Sequence, residues 1–193
     1  MVKGEKMAGH LFIISGSSGV GKGTLIKEFL KQVENISLSI STTTRKARPG
    51  EEHGINYFFV SQEEFERDIQ EGNFLEWAEF GGNRYGTSKK RVQEALNANK
   101  NVLLEIEVQG AKQIREKMPE AISIFILPPS IEEIEKRLRG RGTETEEAIQ
   151  KRLQAIEFEA KESNNYTYKV INDNIERAVA EIIEIYNKNN KEQ

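Results

Sequence analysis

The 193-residue sequence contains no cysteine. This absence excludes disulfide scaffolds, cysteine–zinc sites, iron–sulfur clusters and thiol nucleophiles. The sequence also lacks a long hydrophobic run near its start, since the first apolar stretch, Leu11–Ile14, is too short for a signal-peptide core or a membrane span. The net charge is only -3, which argues against a protein that coats nucleic acid. We therefore expect a cytoplasmic protein without a membrane or nucleic-acid partner.

The length fits one globular domain, and 37% hydrophobic with 31% charged residues lies within the globular range. Short apolar runs rich in β-branched residues alternate with segments of helical periodicity. This alternation predicts an α/β fold of three layers, with helices on both faces of a parallel sheet. The segment 36–87 is richer in strands and turns, and we interpret it as a small mixed α/β insert.

The periodicity predicts the following individual elements. Strands are expected at Leu11–Ser15, Ile36–Ser41, Tyr57–Val60, Phe74–Phe80, Val102–Val108, Ala121–Leu127 and Tyr168–Ile171. Helices are expected in six places. The first follows Lys22 with Leu25, Phe29, Leu30 and Val33 on one face, the second runs from the capping box Ser61/Glu64 to Gly72, and the third spans Ala111–Met118 before Pro119. The fourth begins at the capping box Ser130/Glu133, the fifth carries the apolar stripe Ile149, Leu153, Ile156 and Ala160, and the sixth spans Ile175–Tyr186.

A glycine-rich segment, GSSGVGKGT, lies between a predicted strand and a predicted helix. This is the context that a phosphate-binding loop requires. Its glycines let successive main-chain N–H groups point at phosphate oxygens, and Lys22 places an ammonium on the β- and γ-phosphates. The alternative is a glycine-rich turn with an exposed lysine. We assign the contacts to a nucleoside triphosphate to Gly16, Ser17, Ser18, Gly19, Val20, Gly21, Lys22, Gly23 and Thr24.

One position departs from the usual phosphate-loop pattern. A serine or threonine commonly follows the lysine and holds magnesium, whereas here Gly23 follows and the hydroxyl belongs to Thr24. We therefore assign no direct protein ligand to the metal. Mg²⁺ is expected to be held mainly by nucleotide oxygens and water.

A second polar cluster, STTTRKARPGEEHGINY, begins at the end of a predicted strand. Arg45 and Arg48 lie three residues apart beside several hydroxyls. Because guanidinium groups bind phosphate bidentately, two of them can clamp a second phosphate. An exposed basic loop is the alternative.

The run FLEWAEF places the carboxylate of Glu76 between apolar residues, where an unpaired charge is costly. A carboxylate there can accept two hydrogen bonds from the N1 and N2 donors of guanine. A solvent-facing glutamate on an amphipathic strand is the alternative. Trp77 and Phe80 are interpreted as core residues.

Six ordered blocks resemble the guanylate kinase family, whose members phosphorylate GMP from ATP. The blocks are GSSGVGKGT, STTTRKARPGE with HGINYFF, FLEWAEFGGNRYGT, LLEIEVQG, RGRGTETEEAIQKRL and VINDN, and they cover nearly everything from Leu11 to about Tyr186. The resemblance implies a phosphate-loop core and Mg-dependent transfer of the ATP γ-phosphoryl group to GMP or dGMP. The products are ADP and GDP, within purine nucleotide metabolism.

On the GMP side, the resemblance implies phosphate contacts from Ser41, Arg45, Arg48, Tyr57 and Tyr85. Glu76 and Thr87 match the positions that read guanine, with the carboxylate facing N1 and N2 and the hydroxyl near O6. Glu105 and Glu107 lie two apart in a predicted strand and hence on one face. They match an acidic pair on the GMP and metal sides, or else form a charged strand end. Arg84 stands where the family commonly has an aromatic residue.

The segment GRGTET at Gly140–Thr145 interrupts two predicted helices. The resemblance implies a mobile lid at about 139–154, with Arg141 on it and Arg152 on the following helix. Closure of the lid would bring both guanidinium groups onto the transferred phosphoryl group and expel water. A charged helix–loop–helix, in which nearby glutamates pair with the surrounding arginines Arg137, Arg139, Arg141 and Arg152, is the alternative.

On the ATP side, Arg137 matches a residue of the nucleotide pocket, and Asn172 and Asp173 match the loop beside the adenine. The resemblance implies one domain over 1–193. Its core comprises about 8–35, 88–138 and 155–193, and the remaining parts are the GMP-binding insert at 36–87 and the lid.

Catalysis is expected from positioning and charge neutralisation by Lys22, Arg45, Arg141, Arg152 and Mg²⁺, without a covalent intermediate. Two alternatives remain. One is a catalytically inactive guanylate-kinase-like module that binds proteins, although the nucleotide-binding residues are all present. The other is a kinase of another nucleoside monophosphate, although Glu76 with Thr87 favours guanine because adenine has no donor at N1.

Overall fold

The structure is a computed structural model that describes residues 9–17, 19–130, 132, 135–136, 139, 145–147, 149–150, 153–154 and 161–190. Within these ranges, no helix is both long and apolar enough to cross a membrane. Several predicted features lie outside the described residues: Ser18, Glu133, Arg137, Arg141, Arg152, Ile156, Ala160 and most of the lid segment.

Nine strands and five helices have defined bounds. The strands are β1 Leu11–Gly16, β2 Ile36–Leu38, β3 Thr42–Thr43, β4 Phe58–Phe59, β5 Phe74–Phe80, β6 Asn83–Ser88, β7 Asn101–Glu105, β8 Ile122–Leu127 and β9 Tyr168–Ile171. The helices are α1 Lys22–Leu30, α2 Gln62–Gln70, α3 Lys89–Asn97, α4 Val108–Lys117 and α5 Ile175–Asn190, and a 3₁₀ turn spans Ser163–Asn165.

The strands form two sheets. The larger is a five-stranded sheet in the order β2-β7-β1-β8-β9, in which β2 pairs parallel to β7 and β8 pairs parallel to β9. Its strands β1, β7 and β8 are buried along almost their whole length, as expected for a parallel sheet covered on both faces. The smaller sheet, in the order β4-β3-β6-β5, draws all its strands from residues 42–88. The predicted α/β class is therefore confirmed.

The chain divides into two compact units, each made of two separate segments. The first, here the acceptor-side unit, comprises residues up to 13 and 35–121. Its smaller sheet packs around Phe65 and Phe74, whose ring centroids lie 4.5 Å apart. The second, here the phosphate-loop unit, comprises 14–34 and the residues from 122 onward. In it α1 packs on α5 through Phe29 and Tyr186, with centroids 5.7 Å apart.

Several predicted elements are confirmed. Strands occupy Phe74–Phe80 and Tyr168–Ile171 as expected. The capping box is formed reciprocally, because Ser61 accepts from the Glu64 amide and the Glu64 carboxylate accepts from the Ser61 amide. The last helix extends four residues beyond the predicted end at Tyr186. In the segment predicted to be a long helix, Ile149 and Leu153 are helical and buried.

The predicted strand Ile36–Ser41 is wrong in its second half. Strand β2 ends at Leu38, after which the Ser39 amide bonds to Leu103. The carbonyl of Ser41 instead accepts from the Phe58 amide at 2.9 Å, and β3 begins one residue later. The chain thus leaves one sheet for the other within three residues, a change that period-two alternation alone does not reveal.

The predicted strand Val102–Val108 is also too long. Strand β7 ends at Glu105, and Glu107 is the N-cap of α4, which begins three residues before the predicted helix start at Ala111. The Glu107 carbonyl accepts from the Ala111 amide at 2.9 Å. Glu105 and Glu107 therefore do not share one face of a strand. Helix α3 was not predicted, although Ser88 caps it and Val92 and Leu96 are spaced as one buried helical face.

Candidate active site

The glycine-rich segment forms a loop between β1 and α1, as predicted. Gly21 is the N-cap of α1 and has φ 95°, a left-handed conformation that favours glycine. A Cβ at Gly21 would also lie 2.8 Å from the side-chain nitrogen of Asn172. The loop therefore requires glycine here for both conformation and space. Because α1 begins at Lys22, its free N–H groups and positive dipole end belong to this loop.

The side chain of Lys22 folds back onto the main chain of the glycine-rich loop. Its Nζ donates to the carbonyl of Gly16 at 2.5 Å and to that of Ser17 at 3.3 Å. Ser17 is fully buried, and its Oγ has no hydrogen-bond partner among the described residues. Gly19, Gly23 and Thr24 are exposed, whereas Val20 is buried. The loop thus combines a charge held close to the main chain with a buried hydroxyl that no described residue satisfies.

Asn172 and Asp173 follow β9. The side-chain nitrogen of Asn172 donates to the Val20 carbonyl at 2.7 Å, so Asn172 supports the phosphate loop directly. Asp173 is exposed and pairs with Arg177 at 2.7 Å, and this pairing lowers the pKa of the Asp173 carboxyl. Arg177 also donates to the carbonyl of Ile171. These contacts fix the segment that carries Asn172.

In the acceptor-side unit, Arg45 is held by Glu51. The two side chains form an ion pair at 2.8 Å, and the other oxygen of Glu51 accepts from the Arg48 amide at 2.8 Å. The Arg45 guanidinium lies 5.2 Å from the ring centroid of Tyr57. Pairing with Arg45 lowers the pKa of Glu51. Glu51 therefore binds the side chain of Arg45 and the main chain of Arg48, the two arginines predicted to bind phosphate. The Arg48 side chain itself is exposed.

The predicted tyrosines lie together beside Arg45. The ring centroids of Tyr57 and Tyr85 are 6.0 Å apart, and Tyr85 is paired with Thr43 across β3 and β6. Burial raises the pKa of the Tyr57 hydroxyl, so it stays a hydrogen-bond donor near neutral pH. Ser41 lies at the junction before β3. The structure thus places Ser41, Arg45, Tyr57 and Tyr85 on adjoining positions of the smaller sheet and its loops.

Glu76 and Thr87 form a buried pair. The hydroxyl of Thr87 donates to Oε1 of Glu76 at 2.5 Å, and the two residues are only 4% and 1% exposed. They lie opposite each other on β5 and β6. Burial raises the pKa of Glu76, while the Thr87 hydrogen bond and the charge of Lys117 act in the opposite direction. A buried carboxylate of this kind is costly unless a ligand or partner satisfies it.

Three contacts were missed by sequence reasoning. Glu51 lies six residues after Arg45 within the same polar motif, and a glutamate beside two arginines could have been identified as their counter-ion. Arg84 pairs with Glu66 at 2.5 Å and lies over Trp77, 5.8 Å from the ring centroid. Its charge is therefore engaged on the surface of α2. The hydrogen bonds from Gln113 and Lys117 of α4 to the main chain of β5 depend on tertiary packing and carry no local sequence signal.

The comparisons with known proteins agree with one another. A family model described as guanylate kinase matches residues 8–189. A guanylate kinase of Prochlorococcus marinus (strain MIT 9312) is 52% identical over 175 residues, which is 91% of this chain and 95% of that protein. One from Clostridioides difficile (strain 630) is 51% identical over 174 residues, covering 90% and 85%. The crystal structure of guanylate kinase from Anaplasma phagocytophilum superposes with a TM-score of 0.76 at 34% identity, covering 95% of this chain and 87% of that one.

Proposed function

Because the chain belongs to the guanylate kinase family, we propose that it transfers the γ-phosphoryl group of ATP to the phosphate of GMP. The observation that carries this proposal is the buried Glu76–Thr87 pair. An ionised carboxylate accepts hydrogen bonds only, and guanine offers two adjacent donors at N1 and N2. Adenine offers no donor at N1, so it would leave the buried charge unsatisfied.

The phosphate of GMP is assigned to the cluster around Arg45. Arg45 and Arg48 supply the bidentate cationic donors, and Ser41, Tyr57 and Tyr85 supply hydroxyl donors. The Arg45–Glu51 pair supports this role because it holds the guanidinium in place before the substrate binds. Preorganised charge costs little rearrangement on binding. Glu105 and Glu107 are assigned to the acceptor and metal sides from family resemblance.

The triphosphate of ATP is assigned to the loop Gly16–Thr24. Free N–H groups at the start of α1 and the ammonium of Lys22 are suited to phosphate oxygens. On ATP binding, Lys22 would exchange its two loop carbonyls for the β- and γ-phosphates. The Oγ of Ser17, which has no hydrogen-bond partner in the part of the chain that the structure describes, is available as a further donor. Asn172 and Asp173 are assigned to the adenine side, with Asn172 also supporting the loop.

Mg²⁺ fits this site as part of the nucleotide. Among the described residues, no group of three or more histidine or acidic side chains could hold a metal ion. The loop offers nitrogen donors for phosphate oxygens, and Thr24 adds a hydroxyl oxygen, which suits a metal carried mainly by ATP and water. Bound Mg²⁺ would neutralise charge on the β- and γ-phosphates.

The proposed step is an in-line displacement. A phosphate oxygen of GMP forms a new bond to the γ-phosphorus, and the bond from that phosphorus to the β,γ-bridging oxygen breaks, releasing ADP. The protein contributes positioning and charge neutralisation, from Lys22 and Arg45 among the described residues. Arg137, Arg141 and Arg152 are assigned from family resemblance to the nucleotide pocket and the closing lid, with Arg141 and Arg152 on the transferred group.

The test measures ADP formation from Mg·ATP with AMP, GMP, dGMP, CMP and UMP as acceptors. We expect rapid turnover with GMP, slower or comparable turnover with dGMP, and little with the other three. Comparable rates on AMP and GMP would contradict guanine recognition by Glu76. Absence of turnover with every acceptor, despite nucleotide binding measured by calorimetry, would contradict the catalytic function itself.

A further inference from the structure

The outer edge of β5 is closed by side chains of α4. Among the described strands, β5 is the last of the smaller sheet and pairs with β6 alone. At its other edge, the Trp77 amide donates to Oε1 of Gln113 at 3.3 Å, and Nε2 of Gln113 donates to the Trp77 carbonyl at 2.7 Å. Lys117 Nζ donates to the Leu75 carbonyl at 2.5 Å. Two side chains of one helix thus satisfy main-chain groups on both sides of Glu76.

Strand β5 is irregular where α4 contacts it. The register with β6 shifts between Phe74 and Glu76, which places a bulge at Leu75. As a consequence, Phe74, Leu75 and Glu76 are all buried, at 8%, 7% and 4% exposure, although they are consecutive. A bulge disrupts the ladder and re-aims a side chain. The direction of Glu76 therefore depends on whatever holds this bulge in place.

Gly110 provides the space that the Glu76 side chain occupies. It is buried within α4, and a Cβ there would lie 3.0 Å from Cδ of Glu76 and closer still to Oε2. Glycine inside a helix costs about 0.5–1 kcal/mol relative to alanine, so a packing reason is expected for it. Gly110, Gln113 and Lys117 are spaced by three and four residues and therefore lie on one helical face.

We propose that this face of α4 sets the position of the base-reading carboxylate. Gln113 and Lys117 fix the bulged edge of β5, and Gly110 leaves room for Glu76. Gln113 and Gly110 are accordingly positioning residues that determine specificity for guanine, although neither touches the substrate. The inference rests on the proposed function, in which Glu76 reads N1 and N2.

The chemistry of guanine makes this positioning measurable. Two donors in one plane require both carboxylate oxygens to lie within hydrogen-bonding distance and angle at once. Inosine monophosphate has the N1 donor but no 2-amino group, so it engages only one oxygen. The preference for GMP over inosine monophosphate therefore reports how well Glu76 is aligned. A residue that only stabilises the fold would not change this preference.

The experiment compares Gln113→Ala with wild type in the full chain. We expect KM for GMP to rise about tenfold, as for the loss of a hydrogen bond at a precise site, while KM for ATP stays within about twofold. The ratio of kcat/KM for GMP to that for inosine monophosphate should fall at least about fivefold. Gly110→Ala should raise KM for GMP by about 10²-fold, because the new methyl group displaces the carboxylate itself.

Glu116→Ala is the matched control, since Glu116 is an exposed residue of the same helix. Melting temperatures of all variants distinguish a misfolded protein from one in which Glu76 is misaligned. If Gly110→Ala does not fold, the kinetics of Gln113→Ala alone test the inference. An unchanged GMP preference in Gln113→Ala overturns the inference, whether turnover falls or not. Wild-type protein without GMP turnover instead overturns the proposed function, and the inference with it.

Discussion

The two units recognise their proposed ligands by different means. In the acceptor-side unit the groups proposed to recognise GMP are side chains held by other side chains, as in the pairs Arg45–Glu51 and Thr87–Glu76. In the phosphate-loop unit they are main-chain groups, and the side chains around them bond to loop carbonyls. Lys22 binds the carbonyls of Gly16 and Ser17, and Asn172 binds that of Val20.

This difference predicts how each site responds to substitution. A site built from paired charges is altered when a charge is removed, even by an isosteric change that leaves the backbone in place. A site built from main-chain groups is altered when an added Cβ forces the backbone to move. Loss of charge should therefore be the main way to impair the acceptor-side site, whereas the main-chain part of the phosphate loop should respond to added bulk, with the charged side chain of Lys22 as an exception.

Lys22 is the strongest test of this comparison, because it is a charged side chain within the main-chain site. We expect Lys22→Ala to lower kcat by at least about 10³-fold, since the charge on the transferred phosphoryl group loses a partner. A coupled assay of ADP release measures this, with the exposed Lys27→Ala on the same helix as control. Wild-type turnover in Lys22→Ala would contradict its assignment.

Glu76→Gln tests the charge sensitivity of the acceptor-side unit. The amide keeps the shape of the side chain but replaces one acceptor by a donor facing the guanine N–H groups. We expect kcat/KM for GMP to fall about 10²-fold or more, with KM for ATP unchanged. Steady-state kinetics with each substrate varied in turn provides the measurement. A proportional rise in both KM values would show that the residue serves both substrates.

Gly21→Ala tests the shape sensitivity of the phosphate loop. The left-handed φ and the proximity of Asn172 both oppose a side chain, so we expect KM for ATP to rise about tenfold with KM for GMP little changed. Gly72→Ala is the matched control, because Gly72 also has positive φ but no atom of the described residues lies within 4 Å of an added Cβ. Equal rises in KM for ATP in the two variants would contradict a contribution from the contact with Asn172.

The burial of Glu76 also predicts a gain in stability when its charge is removed. Its folded pKa is raised, so its protonated form favours folding at low pH, and this contribution is lost as pH rises through the folded pKa. At pH 7 we expect Glu76→Gln to be more stable than wild type, with a higher melting temperature. Calorimetry should show the stability difference between Glu76→Gln and wild type shrinking toward pH 4. A difference that grows toward pH 4 would contradict a raised pKa of Glu76.

Glu51→Gln should give the smallest effect. The substitution loosens Arg45 and the Arg48 backbone but also removes a competitor for the guanidinium, so we expect KM for GMP to rise only about threefold. Because the pKa of Glu51 is lowered, its pairing is present above its ordinary pKa and lost only as pH falls through the lower folded value. The effect should therefore be constant between pH 6 and 8. A strong pH dependence in that range would exclude the Glu51–Arg45 pairing as the cause of the change in KM for GMP.

The sequence was most informative where function depends on local geometry. The phosphate loop between β1 and α1, the capping box at Ser61 and the strand Phe74–Phe80 follow from spacing and residue type alone. The clustering of Arg45, Tyr57 and Tyr85 required family resemblance, because these residues come from separate parts of the smaller sheet. Both kinds of prediction identified residues that the structure places side by side within one unit.

The remaining features depend on tertiary packing. The end of β7 at Glu105 could not be read from VLLEIEV, since apolar alternation continues into the first residues of α4. The bulge at Leu75 contacts Lys117, 42 positions later, and the space at Gly110 holds the side chain of Glu76 from a separate strand. The assigned roles of Arg137, Arg141 and Arg152 remain predictions, because these residues lie outside the described part of the chain.

The bond from Asn172 to Val20 has a consequence for protein synthesis. It joins residues 152 positions apart, and the Tyr186 hydroxyl binds the Glu34 carbonyl across the same separation. At a translation rate of roughly 5–20 residues per second, the phosphate loop emerges about 8–30 s before the residue that supports it. The segment 35–121 is translated in between. The ATP site, although its loop is translated before the segment 35–121, should therefore mature after that segment.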